Sequence, residues 1–97
     1  MQTGEIAHRR ALDELFSATY EELRRLAFAV RRNDRSATFS PTVLVNEAWL
    51  KLAKSPGLTF ESSLHFKRIA ARAMRQLLVE AARRRLATKR GGPTMSL

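Results

Sequence analysis

The sequence predicts an all-α fold, a compact bundle of three or four helices that ends in a long basic helix. Apolar residues recur at three- and four-residue spacing along most of the chain, and no stretch alternates convincingly with a period of two. Proline and glycine fall between these periodic segments, where helices should end. A chain of 97 residues with 44% apolar residues can form one domain with a modest core. Because the chain has no cysteine, it has neither a disulfide framework nor a thiolate metal site.

The first segment, Glu5 to Arg32, is predicted to be helical. Its weaker helix formers, Ser17 to Tyr20, allow either two helices or one bent helix. The apolar residues of the segment fall on one face, which should turn to the core. They are Leu12, Leu15, Phe16, Leu23, Leu26, Ala27 and Val30.

The second helix is predicted to begin with Ser40 as its N-cap and Pro41 at the first helical position, where a missing N–H costs nothing. It should end near Lys54 or Ser55, because Pro56 follows. Its inner face is broad and apolar, so it should pack on the rest of the bundle. This face comprises Leu44, Val45, Ala48, Trp49, Leu52 and Ala53.

The outer side of this second helix carries a row that is unusual for a soluble domain. Val43, Asn46, Glu47 and Leu50 stand at i, i+3, i+4 and i+7, so they form one ridge with apolar ends and a polar middle. This outer ridge can meet a partner helix, or its apolar ends can tuck under the loop that connects the helices. Trp49 lies on the inner side among aliphatic residues, which favours a core anchor over a base-stacking platform.

A long final helix is predicted from Ser62 or Ser63 to about Lys89, before a Gly-Gly-Pro sequence that ends it. One side is apolar and should face the core: Phe66, Ile69, Ala70, Ala73, Met74, Leu77, Leu78 and Ala81. The opposite side, within a sector of roughly 80°, carries only basic charges. This arginine face consists of Arg68, Arg72, Arg75, Arg83 and Arg90.

Charge is distributed unevenly between the two halves of the chain. Residues 1–48 hold seven basic and seven acidic residues, whereas residues 49–97 hold eleven basic and two acidic ones, so the second half carries the whole net charge of +9. This asymmetry favours a polyanionic partner, nucleic acid ahead of an anionic membrane surface. A merely solvated basic face is the alternative, although such faces usually mix the signs. Arginine suits phosphate because its planar guanidinium donates two parallel hydrogen bonds.

The loop PGLTFESS and the start of the final helix hold further candidates for binding. His65 can stack on or hydrogen-bond to an unpaired base, or it can be a cap-region histidine that faces water, which is the interpretation we favour. Phe60 can be an exposed stacking residue or can plug the loop onto the core. Thr59, Ser62 and Ser63 can donate to phosphates or base edges, but one of the two serines is needed as the N-cap.

The sequence contains no pattern typical of catalysis, metal binding or nucleotide binding. His8 and His65 are isolated from any suggestively spaced serine or aspartate. The adjacent carboxylates Asp13-Glu14 and Glu21-Glu22 point about 100° apart on a helix, which suits solvation better than acid–base chemistry. The longest apolar run, Leu26 to Val30, is far short of the ~20 residues that cross a bilayer. We therefore expect a binding protein, not an enzyme, that uses no cofactor.

Three parts of the sequence together resemble a known family. LVNEAWLKL at 44–52 and HFKRIAARAMRQLLVEAARRRLATKRGG at 65–92, with ALDELFSATYEELRRLA at 11–27, closely resemble the second domain of bacterial RNA polymerase sigma factors. The similarity is greatest to the extracytoplasmic-function (ECF) group and covers roughly residues 10–92. It implies a bacterial cytoplasmic protein in which residues 1–90 form the helical domain. Residues 91–97 would then be a flexible tail that starts a linker, with the second, helix-turn-helix domain of the family absent.

The resemblance also implies partners and site residues. The second helix of the family docks on the clamp helices of the largest polymerase subunit, here through Val43, Asn46, Glu47, Leu50 and Lys51. The following loop and final helix read and open the −10 promoter element, and a base of the non-template strand is flipped into a pocket there. The DNA contacts would be Thr59, Phe60, Ser62, His65, Lys67, Arg68, Arg72, Arg75 and Arg83. Pro41-Thr42-Val43 stands where many relatives carry acidic residues, so Glu47 is the only carboxylate of this helix.

Two other functions are compatible with the same residues. The chain can be a general basic helical module that binds DNA or RNA without a polymerase. It can also be an interaction module whose outer ridge binds a regulator, as anti-sigma proteins do in the family. Capture by polymerase core enzyme distinguishes the first alternative from the sigma-factor function.

Overall fold

The computed structural model describes residues 2–32, 39–55 and 58–89. These residues form three helices: α1 (Gln2–Arg31), α2 (Pro41–Ala53) and α3 (Ser63–Lys89). No strand occurs in the described ranges, so the predicted all-α class is confirmed. Arg90 and the predicted helix stop and tail at 91–97 lie outside the described residues, as do Pro56 and Gly57. None of the three helices in the described residues combines the length and the hydrophobicity that a bilayer-spanning segment needs.

α1 is a single helix, and the weak helix formers at 17–20 do not divide it. Thr19 is buried, and its hydroxyl donates a hydrogen bond of 2.6 Å to the Leu15 carbonyl one turn earlier. This bond satisfies the one polar side chain among the buried residues of the described chain. Tyr20 packs partly against the core. Packing of these side chains therefore stabilises the helical conformation of a segment whose intrinsic helix propensity is modest.

The core lies where the three helices meet, and each helix contacts both of the others. Phe16 of α1 is at its centre, with edge-to-face contacts to Phe66 of α3 at 5.1 Å and Trp49 of α2 at 6.5 Å between ring centroids. Every residue that the apolar periodicity places on an inner face is either buried or partly buried against the core. The cluster comprises Leu12, Phe16, Leu23, Ala27, Leu44, Val45, Ala48, Leu52, Phe66, Ala70, Ala73, Met74 and Leu78.

Trp49 fixes the orientation of α2 relative to α1. Besides its contact with Phe16, its indole Nε1 donates a hydrogen bond of 3.0 Å to the carboxylate of Asp13. The guanidinium of Arg9 lies 5.8 Å from the centroid of the indole ring. Trp49 is thus half-buried against α1, which confirms the prediction of a core anchor.

The start of α2 has the predicted cap. The Ser40 hydroxyl accepts a hydrogen bond of 3.2 Å from the Val43 N–H, and the Ser40 carbonyl accepts one of 2.8 Å from the Leu44 N–H. Pro41 occupies the first turn, and the helix ends at Ala53 with Lys54 as its C-cap. The capping serine therefore fixes the residue at which α2 begins.

Ser40→Ala is expected to lower the free energy of unfolding by about 1 kcal/mol, because one N–H of the first turn of α2 loses its acceptor. Ser40→Gly should cost only a few tenths, about 0.3 kcal/mol. Chemical denaturation followed by circular dichroism measures both. Ser17→Ala, at an exposed position within α1, is the control and should change stability by less than about 0.5 kcal/mol. Equal losses from Ser40→Ala and Ser17→Ala would contradict the capping role.

Candidate functional site

The outer ridge of α2 is exposed. Val43 retains 44% and Leu50 retains 42% of their accessible surface, and Asn46 between them is also exposed. Glu47 is half-buried. Because the opposite face of α2 is buried in the core, the ridge points outward from the bundle. Its two aliphatic ends are therefore surface residues and not part of the interior.

A groove runs beside the outer ridge and extends it toward α1. The groove has a volume of about 700 Å³ and is lined by Asn46 and Trp49 of α2 and by Asp13, Ser17 and Tyr20 of α1, among others. Asn46 thus belongs both to the ridge and to the groove wall. A protein that docks on the ridge can also fill this groove.

Lys51, the fifth predicted contact on α2, already has an intramolecular partner. Its Nζ lies 3.5 Å from a carboxylate oxygen of Glu80 on α3. Both side chains keep about a third of their surface exposed, so the pair is weak and joins α2 to α3 at the surface. Local periodicity does not predict this contact, because the two residues lie on different helices.

The arginine face of α3 is open to solvent. Arg68, Arg72, Arg75 and Arg83 are all exposed, and none of them forms a salt bridge with a carboxylate of the described residues. The core ends at Ala81, beyond which residues 83–88 are exposed on every side. The final turns of α3 therefore extend beyond the bundle and leave a row of guanidinium groups along the surface.

The arginine face also carries exposed aliphatic side chains, which the prediction from the sequence did not include. Val79 is 48% exposed and Leu86 is 55% exposed, and both fall within the angular sector of the arginines. Leu64, at the edge of the same sector, is 54% exposed. Val79 stands four residues after Arg75, and Leu86 seven after Val79, so helical periodicity alone already places both on this face. The face is therefore mixed, cationic and aliphatic.

Lys67 is the one predicted nucleic-acid contact that is engaged in a salt bridge. Its Nζ donates a hydrogen bond of 2.7 Å to Oε2 of Glu22 on α1. This hydrogen bond and the positive charge of Lys67 hold the pKa of Glu22 below its ordinary value of 4.5, and Arg25 adds to the effect. Because the pKa is lowered in the folded state, the contribution of the pair to stability is present above pH 4.5 and is lost as the pH falls through the lowered value.

The N-terminus of α3 is capped by two side chains that were candidates for DNA binding. The Ser62 hydroxyl accepts a hydrogen bond of 3.0 Å from the His65 N–H, and the Ser62 carbonyl accepts one of 3.0 Å from the Phe66 N–H. The Nδ1 of His65 accepts a hydrogen bond of 3.1 Å from the Glu61 N–H. Since Nδ1 is the acceptor, the ring proton of neutral His65 lies on Nε2. The contacts of His65 within the chain are therefore those of a cap-region histidine.

His65→Ala is expected to lower the free energy of unfolding by about 1 kcal/mol, because the Glu61 N–H loses its acceptor. Thermal or chemical unfolding measures the loss. Thr59→Ala, at an exposed position of the same loop, is the control and should have little effect on stability. An unchanged unfolding free energy together with weaker DNA binding would instead assign His65 to base contact.

The loop before α3 rests partly on the core. Phe60 is half-buried and packs edge-to-face on Phe66, with 5.2 Å between the ring centroids. Leu58 also packs against the core, whereas Thr59 between them is exposed. A groove of about 780 Å³ separates these residues from α1, where His8 and Leu15 contribute to its wall. The loop is thus held by its two apolar side chains and presents Thr59 outward.

The described residues contain no cluster of three or more histidine, cysteine, aspartate or glutamate side chains that could hold a metal ion. His8, in the wall of the groove beside Thr59 and Phe60, has its Nε2 3.4 Å from the Leu52 carbonyl near the end of α2. Its contact therefore joins α1 to α2.

The fold and its surfaces define a class of protein: a small three-helix domain with a mixed apolar and polar ridge on one helix and a cationic face on another. The family model for ECF sigma factors matches residues 2–96, nearly the whole chain, and the chain belongs to this family. The resemblance noted in the sequence is thereby confirmed. Proteins of this family bind RNA polymerase and direct initiation of transcription at promoters; they are initiation factors and not catalytic enzymes. Neither a curated protein nor a solved structure matches the chain significantly.

Proposed function

We propose that this chain acts in the bacterial cytoplasm as the sigma-factor domain that docks on the polymerase clamp and opens the −10 promoter element. Residues 1–90 would form this domain, and residues 91–97 would lead into a linker. The observation that supports the proposal most directly is the exposure of Val43 and Leu50 on a helix whose other face is fully engaged in the core.

The outer ridge offers both apolar and polar side chains to a protein partner. Two exposed aliphatic residues, Val43 and Leu50, flank a polar pair that can fix the orientation of a partner through hydrogen bonds. Glu47 is half-buried, and its carboxylate can pair with a cation on the clamp. Lys51 lies one turn beyond Glu47 and can add a contact at the rim if it leaves Glu80.

The DNA contacts proposed for α3 and the preceding loop follow from charge and exposure. Arg68, Arg72, Arg75 and Arg83 present guanidinium groups on one side of α3, where they can bind successive phosphates. Exposed Thr59 and the remaining hydrogen-bond donors of Ser62 and His65 lie at the start of the same helix, close to where an unpaired strand would pass. Phe60 would reach a base only from the exposed part of its ring. Lys67 would have to exchange its contact with Glu22 for a phosphate.

Capture of purified RNA polymerase core enzyme on the immobilised chain tests this function. Wild-type protein should retain the core enzyme, and Glu47→Lys should lose it because a carboxylate of the ridge becomes a cation. Glu14→Lys makes the same charge change on α1, beside the groove under residues 58–60, and should retain the enzyme. The function is wrong if wild-type protein captures no polymerase, or if both variants behave alike.

A protein regulator, such as an anti-sigma protein, is a second candidate partner. Val79 and Leu86 support it, because phosphates alone do not need exposed aliphatic side chains beside the arginines. A regulator with acidic and apolar side chains would cover this mixed face and compete with DNA. Such a partner is compatible with polymerase binding through α2.

A further inference from the structure

We propose that Glu22 is an intramolecular competitor of nucleic acid: its carboxylate occupies an anion position between α1 and α3 that a backbone phosphate takes on binding. The inference rests on the proposed function, because it concerns the regulation of the same DNA-binding face. It also adds Arg25 of α1 to the residues that bind phosphate. Glu22 would thereby lower the affinity of the chain for DNA.

The anion position lies in a groove between α1 and α3. The groove has a volume of about 550 Å³ and is lined by four cations, Arg25 of α1 and Lys67, Arg68 and Arg75 of α3. Among the described residues that line the groove, Glu22 is the one carboxylate. A groove with four cations and one internal anion retains a surplus of positive charge, which complements the sugar–phosphate backbone of a nucleic acid.

The contact between Glu22 and Lys67 is short but accessible. Their hydrogen bond is 2.7 Å long, while the two side chains keep 46% and 26% of their surface exposed. Exposed pairs of this kind are weak, so a phosphate that also contacts neighbouring arginines can displace the carboxylate. The lowered pKa of Glu22 keeps the competing carboxylate charged at neutral pH. The pair therefore weakens binding without preventing it.

Displacement of Glu22 also changes the salt dependence of binding. A lysine that binds a phosphate normally releases one condensed cation from the nucleic acid, which steepens the dependence of affinity on salt. When Lys67 leaves Glu22, the carboxylate regains a cation from solution and offsets that release. Wild-type protein should therefore show a shallower salt dependence than a variant that lacks the carboxylate.

The test is Glu22→Gln, with binding to a fluorescent 20-base-pair duplex of mixed sequence measured by anisotropy over a range of salt concentrations. We expect affinity at low salt to rise roughly three- to five-fold, the range that the loss of one exposed ion pair gives. The log–log salt slope should steepen by up to about 0.9. The matched control is Glu21→Gln, which removes the same charge from the neighbouring position. Glu21 is 70% exposed and faces Arg24 at 3.8 Å, outside the groove, so affinity should change less than about two-fold.

Three results would overturn the inference. Equal gains from Glu21→Gln and Glu22→Gln would show an effect of net charge alone. A full gain from Glu22→Gln in a Lys67→Gln background would show that the two residues are not coupled. Binding of polyglutamate as tight as that of DNA at equal charge would assign the groove to acidic protein surfaces.

Polymerase capture through α2 is a separate measurement. A chain that captures no polymerase but shows the expected dependence on Glu22 overturns the proposed function and supports this inference.

Discussion

Leu50→Asp is expected to reduce capture of RNA polymerase core at least about a hundred-fold while the domain stays folded. Leu50 is 42% exposed, so the substitution removes little core packing. In a complex, however, an aspartate at this end of the outer ridge would be buried without a partner, and an unpaired buried charge costs several kcal/mol, on the order of 3. Immobilised variants and a titration of core enzyme measure the loss.

Leu86→Asp is the matched control for Leu50→Asp. Leu86 is 55% exposed on α3, away from the outer ridge, and receives the same change of size and charge. It should capture polymerase as well as wild-type protein does, and both variants should unfold at nearly the wild-type temperature. Undiminished capture by Leu50→Asp, or equal loss by Leu86→Asp, would contradict docking through the ridge.

Arg72→Ala combined with Arg75→Ala is expected to weaken binding to duplex DNA roughly ten- to hundred-fold at about 0.1 M salt. Both arginines are exposed, and neither pairs with a carboxylate of the described residues, so both are available to phosphates. Each phosphate contact adds about −0.9 to the log–log salt slope, so the slope should become shallower by about 1.8. Anisotropy titrations at several salt concentrations give both quantities.

The control is Arg10→Ala combined with Lys54→Ala, which removes the same total charge from exposed positions on α1 and at the end of α2. Neither position belongs to the arginine face, so affinity should fall much less. Equal effects of the two double variants would mean that only net charge matters. The double arginine variant of α3 should still capture polymerase, unlike Leu50→Asp. If the chain were a general nucleic-acid binder, these two variants would behave alike in the capture assay.

The sequence predicted the local architecture well, because that architecture depends on near neighbours. Ser40 and Pro41 start α2 through contacts within a single turn, and three- and four-residue periodicity places Trp49 inward and Leu50 outward. The resemblance to sigma factors was based on three segments of the sequence, and the match of the family model over residues 2–96 confirms it.

Packing decided the points at which local patterns allowed two outcomes. Ser17 to Tyr20 permitted two helices or one bent helix, and the segment belongs to a single helix in which Thr19 is buried and bonds to Leu15. The sequence allowed Phe60 either to stack on a base or to pack against the core, and in the structure its ring contacts Phe66 in the core. Arg84 falls on the apolar side of the helical wheel, yet it is exposed because the core ends before it. In each case the outcome depends on where the other helices lie.

The helices, their inner and outer faces, the concentration of charge and the family therefore follow from the order of the residues alone. Which charges form pairs depends instead on how the three helices pack together. Lys67 and Glu22 are separated by 45 positions, and Lys51 meets Glu80 from another helix. No periodicity connects residues on different helices, since their distance depends on how the helices cross and rotate against a shared core.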